Sequence, residues 1–225
     1  MLCANNVSAQ IGQKKLLKHI NFYVKPNELV VIIGPNGAGK SSLLKALCGD
    51  IKINNGDITL NDRLLSDYSI ASLATLRAVL TQNYELDFPF SVAEVVDMAH
   101  FAHQKQRVQL ARVLCQIQPS LVANKTPYLL IDEPTSSLDI FHQYDVMAQA
   151  KSIASQGAGV VAVIHDLSLA ASFADRIYML NNGEVAACGT PKEVLTPALL
   201  KRVYNINARL ENNTSEAMPH IQMCY

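Results

Sequence analysis

The feature that most constrains the fold of this chain is a glycine-rich stretch, Gly34-Pro35-Asn36-Gly37-Ala38-Gly39-Lys40-Ser41-Ser42. Before it, Leu29–Ile33 is a short, continuous apolar run rich in β-branched residues, which is typical of a buried strand. After it, apolar residues recur at helical spacing at Leu43, Leu44, Ala46 and Leu47. The glycines are therefore predicted to form the turn between a buried strand and a helix.

A strand-to-helix turn of this composition is typical of a phosphate-binding P-loop. Glycines lack a Cβ, so backbone N–H groups can close on phosphate oxygens, and the positive end of the following helix favours the anion. Lys40 can reach the β- and γ-phosphates, and Ser41 can offer its hydroxyl to Mg²⁺. A glycine-rich turn with an accidental lysine is the alternative. Since every position of the motif is filled, the stretch predicts binding of a nucleoside triphosphate with Mg²⁺.

Polar residues also follow two further apolar strands. Leu129–Ile131 leads into Asp132 and Glu133, and Gly159–Ile164 leads into His165. The first carboxylate can hold Mg²⁺, and the second can act as general base on an attacking water. Alone, such a strand end is as often merely solvated, and a lone histidine is more often structural. With the P-loop upstream, the three residues are predicted to share its site, with His165 facing the γ-phosphate.

The remaining pattern predicts an α/β protein with a mostly parallel sheet, because buried strands alternate with helices. Strands at Leu2–Ala9 and His19–Val24, and a hairpin around Asn181-Asn182-Gly183, predict an antiparallel part beside it. Among the helices, the one predicted over Gln104–Ile117 should stop at Pro119. From about Asn205 the chain is polar and aperiodic, which predicts a mobile or docking tail.

Composition narrows the class of partner. Lys+Arg and Asp+Glu are both 19, so there is no basic excess for nucleic acid. Five scattered cysteines indicate reduced thiols and predict neither disulfides nor a zinc site. No apolar run reaches the roughly 18 residues of a membrane span, so membrane contact is expected to pass through a partner.

In this order and these contexts, the motifs resemble those of the nucleotide-binding subunits of ABC transporters. Gly34–Ser42 resembles the Walker A motif, Gln82 the Q-loop, Leu129–Glu133 Walker B, Ser137–Asp139 the D-loop and His165 the H-switch. The resemblance implies a P-loop NTPase core of the ABC ATPase type with a helical subdomain. It implies one nucleotide-binding domain over residues 1–205 and a C-terminal tail over 206–225.

The resemblance also implies roles for individual residues. Those that would bind ATP are Gly34, Pro35, Asn36, Gly37, Ala38, Gly39, Lys40, Ser41 and Ser42. The catalytic residues would be Glu133, His165 and Gln82. The ligands of Mg²⁺ would be Ser41, Gln82 and Asp132. The implied partners are a second ATPase subunit, membrane permease subunits and, indirectly, a periplasmic substrate-binding protein. The implied location is peripheral, on the cytoplasmic face of a bacterial inner membrane.

Within the family, several stretches are most similar to the ATP-binding subunits of bacterial hemin importers. They are Asp132–Asp139 with His142-Gln143, Ala162–Ala171, and Gly189–Pro191 with Glu193–Leu195. Siderophore and cobalamin importers share part of these stretches and remain the alternative. The resemblance therefore implies an ABC-type ATPase whose hydrolysis of ATP drives uptake, with hemin as the cargo that the most similar subunits indicate.

The chain departs from the family between Gln82 and Gln106, where its Leu-Ser-Gly-Gly-Glu/Gln signature is absent and His100–Gln104 precedes Lys105. Three or four helices of mean length need on the order of 40–50 residues, so 91–103 is predicted to be the remnant of a truncated helical subdomain. ATP binding should survive because it is local to the P-loop. Hydrolysis should be weak or absent without signature donors to the γ-phosphate, which leaves a non-catalytic ATP-binding remnant as an alternative.

Overall fold

The computed structural model of the chain describes residues 1–80, 112, 113, 115–123, 125–133, 140–211 and 220–224. The predictions made for Gln82, for the subdomain remnant at 91–103 and for Ser137–Asp139 lie outside the described residues. They stay predictions.

The elements of the described chain follow the predicted alternation. The strands are β1 (Leu2–Ile11), β2 (Lys14–Val24), β3 (Glu28–Ile33), β4 (Asn55–Leu60), β5 (Arg63–Leu64), β6 (Arg77–Leu80), β7 (Tyr128–Asp132), β8 (Gly159–Val163), β9 (Arg176–Asn181), β10 (Glu184–Gly189), β11 (Asn207–Glu211) and β12 (His220–Cys224). The helices are α1 (Lys40–Cys48), α2 (Ile70–Leu76), α3 (112–113 and 115–122), α4 (Ile140–Ser155), α5 (Leu167–Phe173), α6 (Pro191–Val194) and α7 (Pro197–Tyr204). A 3₁₀ turn covers Leu65–Asp67.

The core is a six-stranded sheet in the order β10-β9-β3-β8-β7-β6. Its pairs are parallel except at the β9–β10 edge, which is antiparallel. Every residue of β3 and of β8 is buried. Strands covered on both faces are expected to be continuous apolar runs, which is the pattern that the sequence shows at these positions. The predicted mostly parallel α/β sheet is confirmed.

The two faces of this sheet are covered by different layers. Val30 and Ile32 of β3 pack with α1 and with β1, β2 and β4 of a second, antiparallel sheet. Leu29, Val31 and Ile33 of the same strand pack with α4, α5 and α7 on the opposite face. Because side chains alternate along a strand, one apolar run supplies both cores.

The antiparallel part is a four-stranded sheet in the order β2-β1-β4-β5. Its presence confirms the prediction, although β2 begins at Lys14, five residues before the predicted start at His19. The short strand β5 was not predicted. The late hairpin is confirmed as the pairing of β9 with β10.

One prediction of local structure is wrong, and one pair of strands was not predicted. Helix α3 continues through residue 122, and the Ala123 N–H donates to the Pro119 carbonyl at 3.1 Å. Proline lacks its own N–H, but its carbonyl can still accept the next helical bond. The stretch after Asn205 contains β11 and β12, which pair antiparallel. Backbone pairing in such a ribbon needs no alternating apolar pattern, so periodicity did not reveal it.

Within the described residues, no helix is long and apolar enough to cross a membrane.

The central position of β3 gives a stability prediction. Ile32→Ala should lower the free energy of unfolding by about 2–5 kcal/mol, because Ile32 is fully buried and its truncation leaves a cavity. Ile70→Ala is the matched control, since Ile70 is 89% exposed and should change stability by less than about 0.5 kcal/mol. Urea unfolding of both variants measures the difference. Equal losses would contradict the assignment of β3 to the core.

Candidate active site

The predicted site residues meet because three parallel strands end at one edge of the sheet. In the register, Ile32 of β3 and Asp132 of β7 both lie opposite Val163 of β8. The P-loop follows β3, Glu133 follows β7, and His165 lies two residues after the end of β8. Parallel strands present their carboxyl ends on the same side, which is where open α/β sheets bind ligands.

The P-loop begins at Gly34, a position that tolerates no side chain. Its φ is +153°, and a Cβ built there would lie 2.4 Å from the Leu180 carbonyl oxygen of β9. The turn ends where α1 begins at Lys40. The first-turn N–H groups of a helix lack partners within the helix, so they are available to an anion in front of it.

Lys40 is folded back over the turn. The residue is only 5% exposed, and its Nζ donates to the Gly34 carbonyl at 2.8 Å and to the Pro35 carbonyl at 3.2 Å. Burial lowers the pKa of this lysine, and the nearby Glu133 and Asp132 carboxylates oppose that shift. The site thus holds a buried positive charge beside two carboxylates.

Ser41 and Asp132 join the P-loop to the end of β7. The Ser41 hydroxyl donates to Asp132 Oδ1 at 3.2 Å. Burial raises the pKa of Asp132, the Ser41 hydrogen bond opposes this, and the neighbouring Glu133 charge adds to it. A hydroxyl and a carboxylate oxygen at one point are the hard donors that Mg²⁺ prefers, so the pair fits the predicted Mg²⁺ site. The described residues contain no group of three His, Cys, Asp or Glu that could hold a metal by themselves.

Glu133 and His165 form a second pair at the same edge. Glu133 Oε1 and His165 Nε2 are 2.6 Å apart, with Glu133 20% exposed and His165 45% exposed. Glu133 has φ +47°, and its N–H donates to the Val163 carbonyl at 3.0 Å. A left-handed backbone at a non-glycine residue is uncommon and clusters at functional sites. The geometry lets the histidine orient the carboxylate.

A cleft of about 610 Å³ runs along the P-loop and reaches Glu133. Its lining comes from the P-loop, the start of β2 and the tip of the β9–β10 hairpin: Lys14, Lys15, Leu16, Lys18, Asn36, Gly37, Gly39, Lys40, Ser41, Ser42, Glu133, Asn182 and Gly183. Sequence reasoning located the hairpin around Asn181-Asn182-Gly183 but missed its part in the site, and it did not place the lysines of β2 there. Turn signals mark where a chain reverses and do not show what the turn packs against. A larger cavity of about 990 Å³ lies near α2 and the end of α1, and its described lining includes none of the predicted site residues.

The comparisons with known proteins decide the family. The family model described as ABC transporter matches residues 17–118. The chain is 86% identical to the hemin import ATP-binding protein HmuV of Pseudoalteromonas translucida (strain TAC 125), with all of both chains covered. The chain belongs to the ABC transporter ATPase family. The protein of the same name from Hahella chejuensis is 40% identical, with 93% of this ABC ATPase and 94% of that protein covered.

Solved structures agree with this ABC ATPase fold. The ADP conformation of an ATP-binding cassette of an ABC transporter gives a TM-score of 0.71 at 19% identity, covering 89% of this chain and 97% of the other. An ATP-binding subunit of an ABC transporter gives 0.65 at 24% identity, covering 86% and 91%. At these identities the likeness concerns the fold.

The length of one alignment indicates an internal shortening of this ABC ATPase. The match to the Pseudoalteromonas protein is 261 residues long, whereas this chain has 225 residues and is wholly covered. At least 36 positions, the difference between these two lengths, therefore have no residue of this chain opposite them. Identity of 86% over 261 positions corresponds to about 224 identical residues. Nearly every one of the 225 residues of this chain therefore matches its counterpart.

Exchange of Lys40 for methionine tests which cavity binds ATP. Lys40→Met should weaken ATP binding about tenfold or more, since hydrogen bonds to a charged group are worth about 1.5–3 kcal/mol. Folding should be retained, because the variant removes a buried charge. Lys52→Met is the control, as Lys52 is exposed and lines the larger cavity. Isothermal titration with ATP measures the affinity of both variants. A greater loss of affinity in Lys52→Met would place the nucleotide in the larger cavity and contradict the assignment of the cleft.

Proposed function

We propose that this chain is the ATP-binding, energy-coupling subunit of an ABC importer for hemin. The observation that carries the proposal is the meeting of the P-loop with Asp132, Glu133 and His165 at one sheet edge, in the contacts given above. The choice of hemin rests on the relatives, of which two from different genera are named hemin import ATP-binding proteins. A ferric-siderophore or cobalamin importer would use the same subunit chemistry.

The P-loop would bind the nucleotide through its backbone and through Lys40. N–H groups of the loop before α1 and of its first turn would bond the phosphate oxygens, and the helix would add its positive end. The Lys40 ammonium would leave its two carbonyl partners for the β- and γ-phosphates. Ser41, Asp132 and Gln82 would hold Mg²⁺, which when bound offsets the negative charge on the phosphate oxygens.

Hydrolysis would use Glu133 as the general base. Its carboxylate would accept a proton from the attacking water as the water oxygen bonds to the γ-phosphorus. The bond from that phosphorus to the oxygen bridging to the β-phosphate breaks, and ADP leaves with the electron pair. His165, 2.6 Å from Glu133, would hold the carboxylate in place, and Gln82 would assist in placing the water and Mg²⁺.

Transport would need further chains. Two ATPase subunits would close around two ATP molecules and drive membrane permease subunits, to which a periplasmic substrate-binding protein delivers the cargo. The protein would then lie peripherally on the cytoplasmic face of the inner membrane.

One observation favours a second candidate, a non-catalytic ATP-binding remnant. At least 36 positions of the Pseudoalteromonas alignment lack a residue of this chain, and the family signature is absent from the sequence. In a closed dimer, signature donors would stabilise the charge that develops on the γ-phosphate. Loss of one such donor in other enzymes costs about 10²–10³ in rate. ATP binding would remain because its contacts lie in the P-loop.

Parallel assays separate the two candidates. We expect this chain to bind Mg-ATP but to hydrolyse it at least about 100-fold more slowly than the Pseudoalteromonas protein under the same conditions. Phosphate release and equilibrium binding are measured for both proteins, each with its Glu133→Gln counterpart as the blank for contaminating ATPase. Equal, Glu133-dependent turnover would contradict the remnant, and failure to bind ATP would contradict both candidates.

Cargo is tested by growth. A Pseudoalteromonas translucida strain that lacks its own hemin import ATP-binding protein should fail to use hemin as its iron source. Expression of that protein should restore growth, whereas this chain should restore it weakly or not at all if hydrolysis is lost. Full rescue on hemin would support the complete importer subunit. Rescue on a ferric siderophore without rescue on hemin would overturn the choice of cargo.

A further inference from the structure

The tip of the β9–β10 hairpin is bonded directly to the P-loop. The Gly183 N–H donates to the Ala38 carbonyl at 2.9 Å, and the Gly183 carbonyl accepts from the Lys18 N–H at 2.8 Å. One residue of the turn thus links the middle of the P-loop to β2. Asn182 and Gly183 both line the cleft, so this link lies at the nucleotide site.

The same hairpin also touches the start of the P-loop. The Leu180 carbonyl occupies the space where a side chain of Gly34 would begin, as described above. Near the tip, Glu184 pairs with Lys18 of β2 at 3.3 Å. The hairpin therefore contacts the P-loop at Gly34 and at Ala38 and is itself tied to β2.

No side chain fits at Gly183. A Cβ built there would lie 2.7 Å from the Leu16 carbonyl oxygen and 3.5 Å from the Leu17 Cα, and φ is +80°. The nearest atoms are backbone, which cannot turn away as a flexible side chain could. An added methyl group must therefore move the hairpin tip, β2 or the P-loop itself.

The geometry of the peptide unit connects this contact to phosphate binding. The Ala38 carbonyl and the Gly39 N–H belong to one planar trans peptide, so they point in opposite directions. Holding the carbonyl on the hairpin directs the Gly39 N–H to the other side of the loop. Gly39 lines the cleft and precedes α1, where an N–H group can meet a phosphate oxygen.

We infer that Gly183 is a positioning residue for the nucleotide phosphates, which acts by fixing the Ala38–Gly39 peptide of the P-loop. The inference rests on the proposed function, since it assumes that this cleft binds ATP. Gly183 need not touch the nucleotide, and its effect passes through a backbone hydrogen bond. The residue should therefore matter for the phosphate part of the ligand and not for the base.

Gly183→Ala tests the inference, with Gly12→Ala as its matched control. Gly12 also has a positive φ, +57°, but a Cβ there meets nothing within 4 Å, and Gly12 is not among the residues of the cleft. Both variants carry the backbone strain of a positive φ, and Gly183→Ala should lose more melting temperature because its Cβ also clashes with the Leu16 carbonyl. Only Gly183→Ala should weaken binding of ATP and of inorganic tripolyphosphate, each about tenfold, as expected for the loss of one hydrogen bond to a charged group.

Unchanged affinity in Gly183→Ala, or an equal loss in Gly12→Ala, would overturn the inference. If the wild-type chain binds neither ligand, the proposed function itself fails. Hydrogen exchange on the wild-type chain provides a readout that does not depend on the variant folding. Because coupling is reciprocal, ATP should slow exchange of the Gly183 amide at least severalfold and leave the Gly12 amide unchanged. An unaffected Gly183 amide would overturn the inference.

Discussion

The parallel pairing of β3 between β8 and β9 is the constraint on which the rest of the structure depends. It places the P-loop beside the ends of β7 and β8, and it lets one buried strand face two separate cores. A shift of this register by one residue would exchange the two faces of β3 and carry Gly34 away from the Leu180 carbonyl. The same pairing that stabilises the sheet therefore sets the distance between Ser41 and Asp132.

Most of the sheet and the principal site residues could be predicted because their signals are local. Strands buried on both faces have continuous apolar sequences, and those that lead into the site are followed by polar residues such as Glu133 and His165. The place of the β2 lysines and of the Asn182-Gly183 tip beside the P-loop could not be predicted. It depends on two hairpins folding onto the same sheet edge. Helix α3 beyond Pro119 and the β11–β12 ribbon were missed because backbone hydrogen bonding, not side-chain periodicity, defines them.

The nucleotide site and the chemistry expected across a dimer are separable in this chain. Every contact that joins the P-loop to Asp132 and Glu133 to His165 is made within one subunit. In the proposed dimer, the second subunit would need the family signature, which is absent from this sequence. A chain can therefore keep the fold and one half of a composite catalytic site while lacking what completes the reaction.

The position of Lys40 has a thermodynamic consequence. Its ammonium group is already bonded to two carbonyls of its own loop, so the buried charge is never left unpaired. Phosphate binding at this lysine is then an exchange of partners, so the contribution of Lys40 to the affinity reflects the difference between charged phosphate oxygens and carbonyl oxygens. The two hydrogen bonds stabilise the loop before the ligand binds. They also reduce the net free energy that Lys40 gains when it binds the phosphate. Release of product is eased by the same competition, because the carbonyls are ready to take the ammonium back.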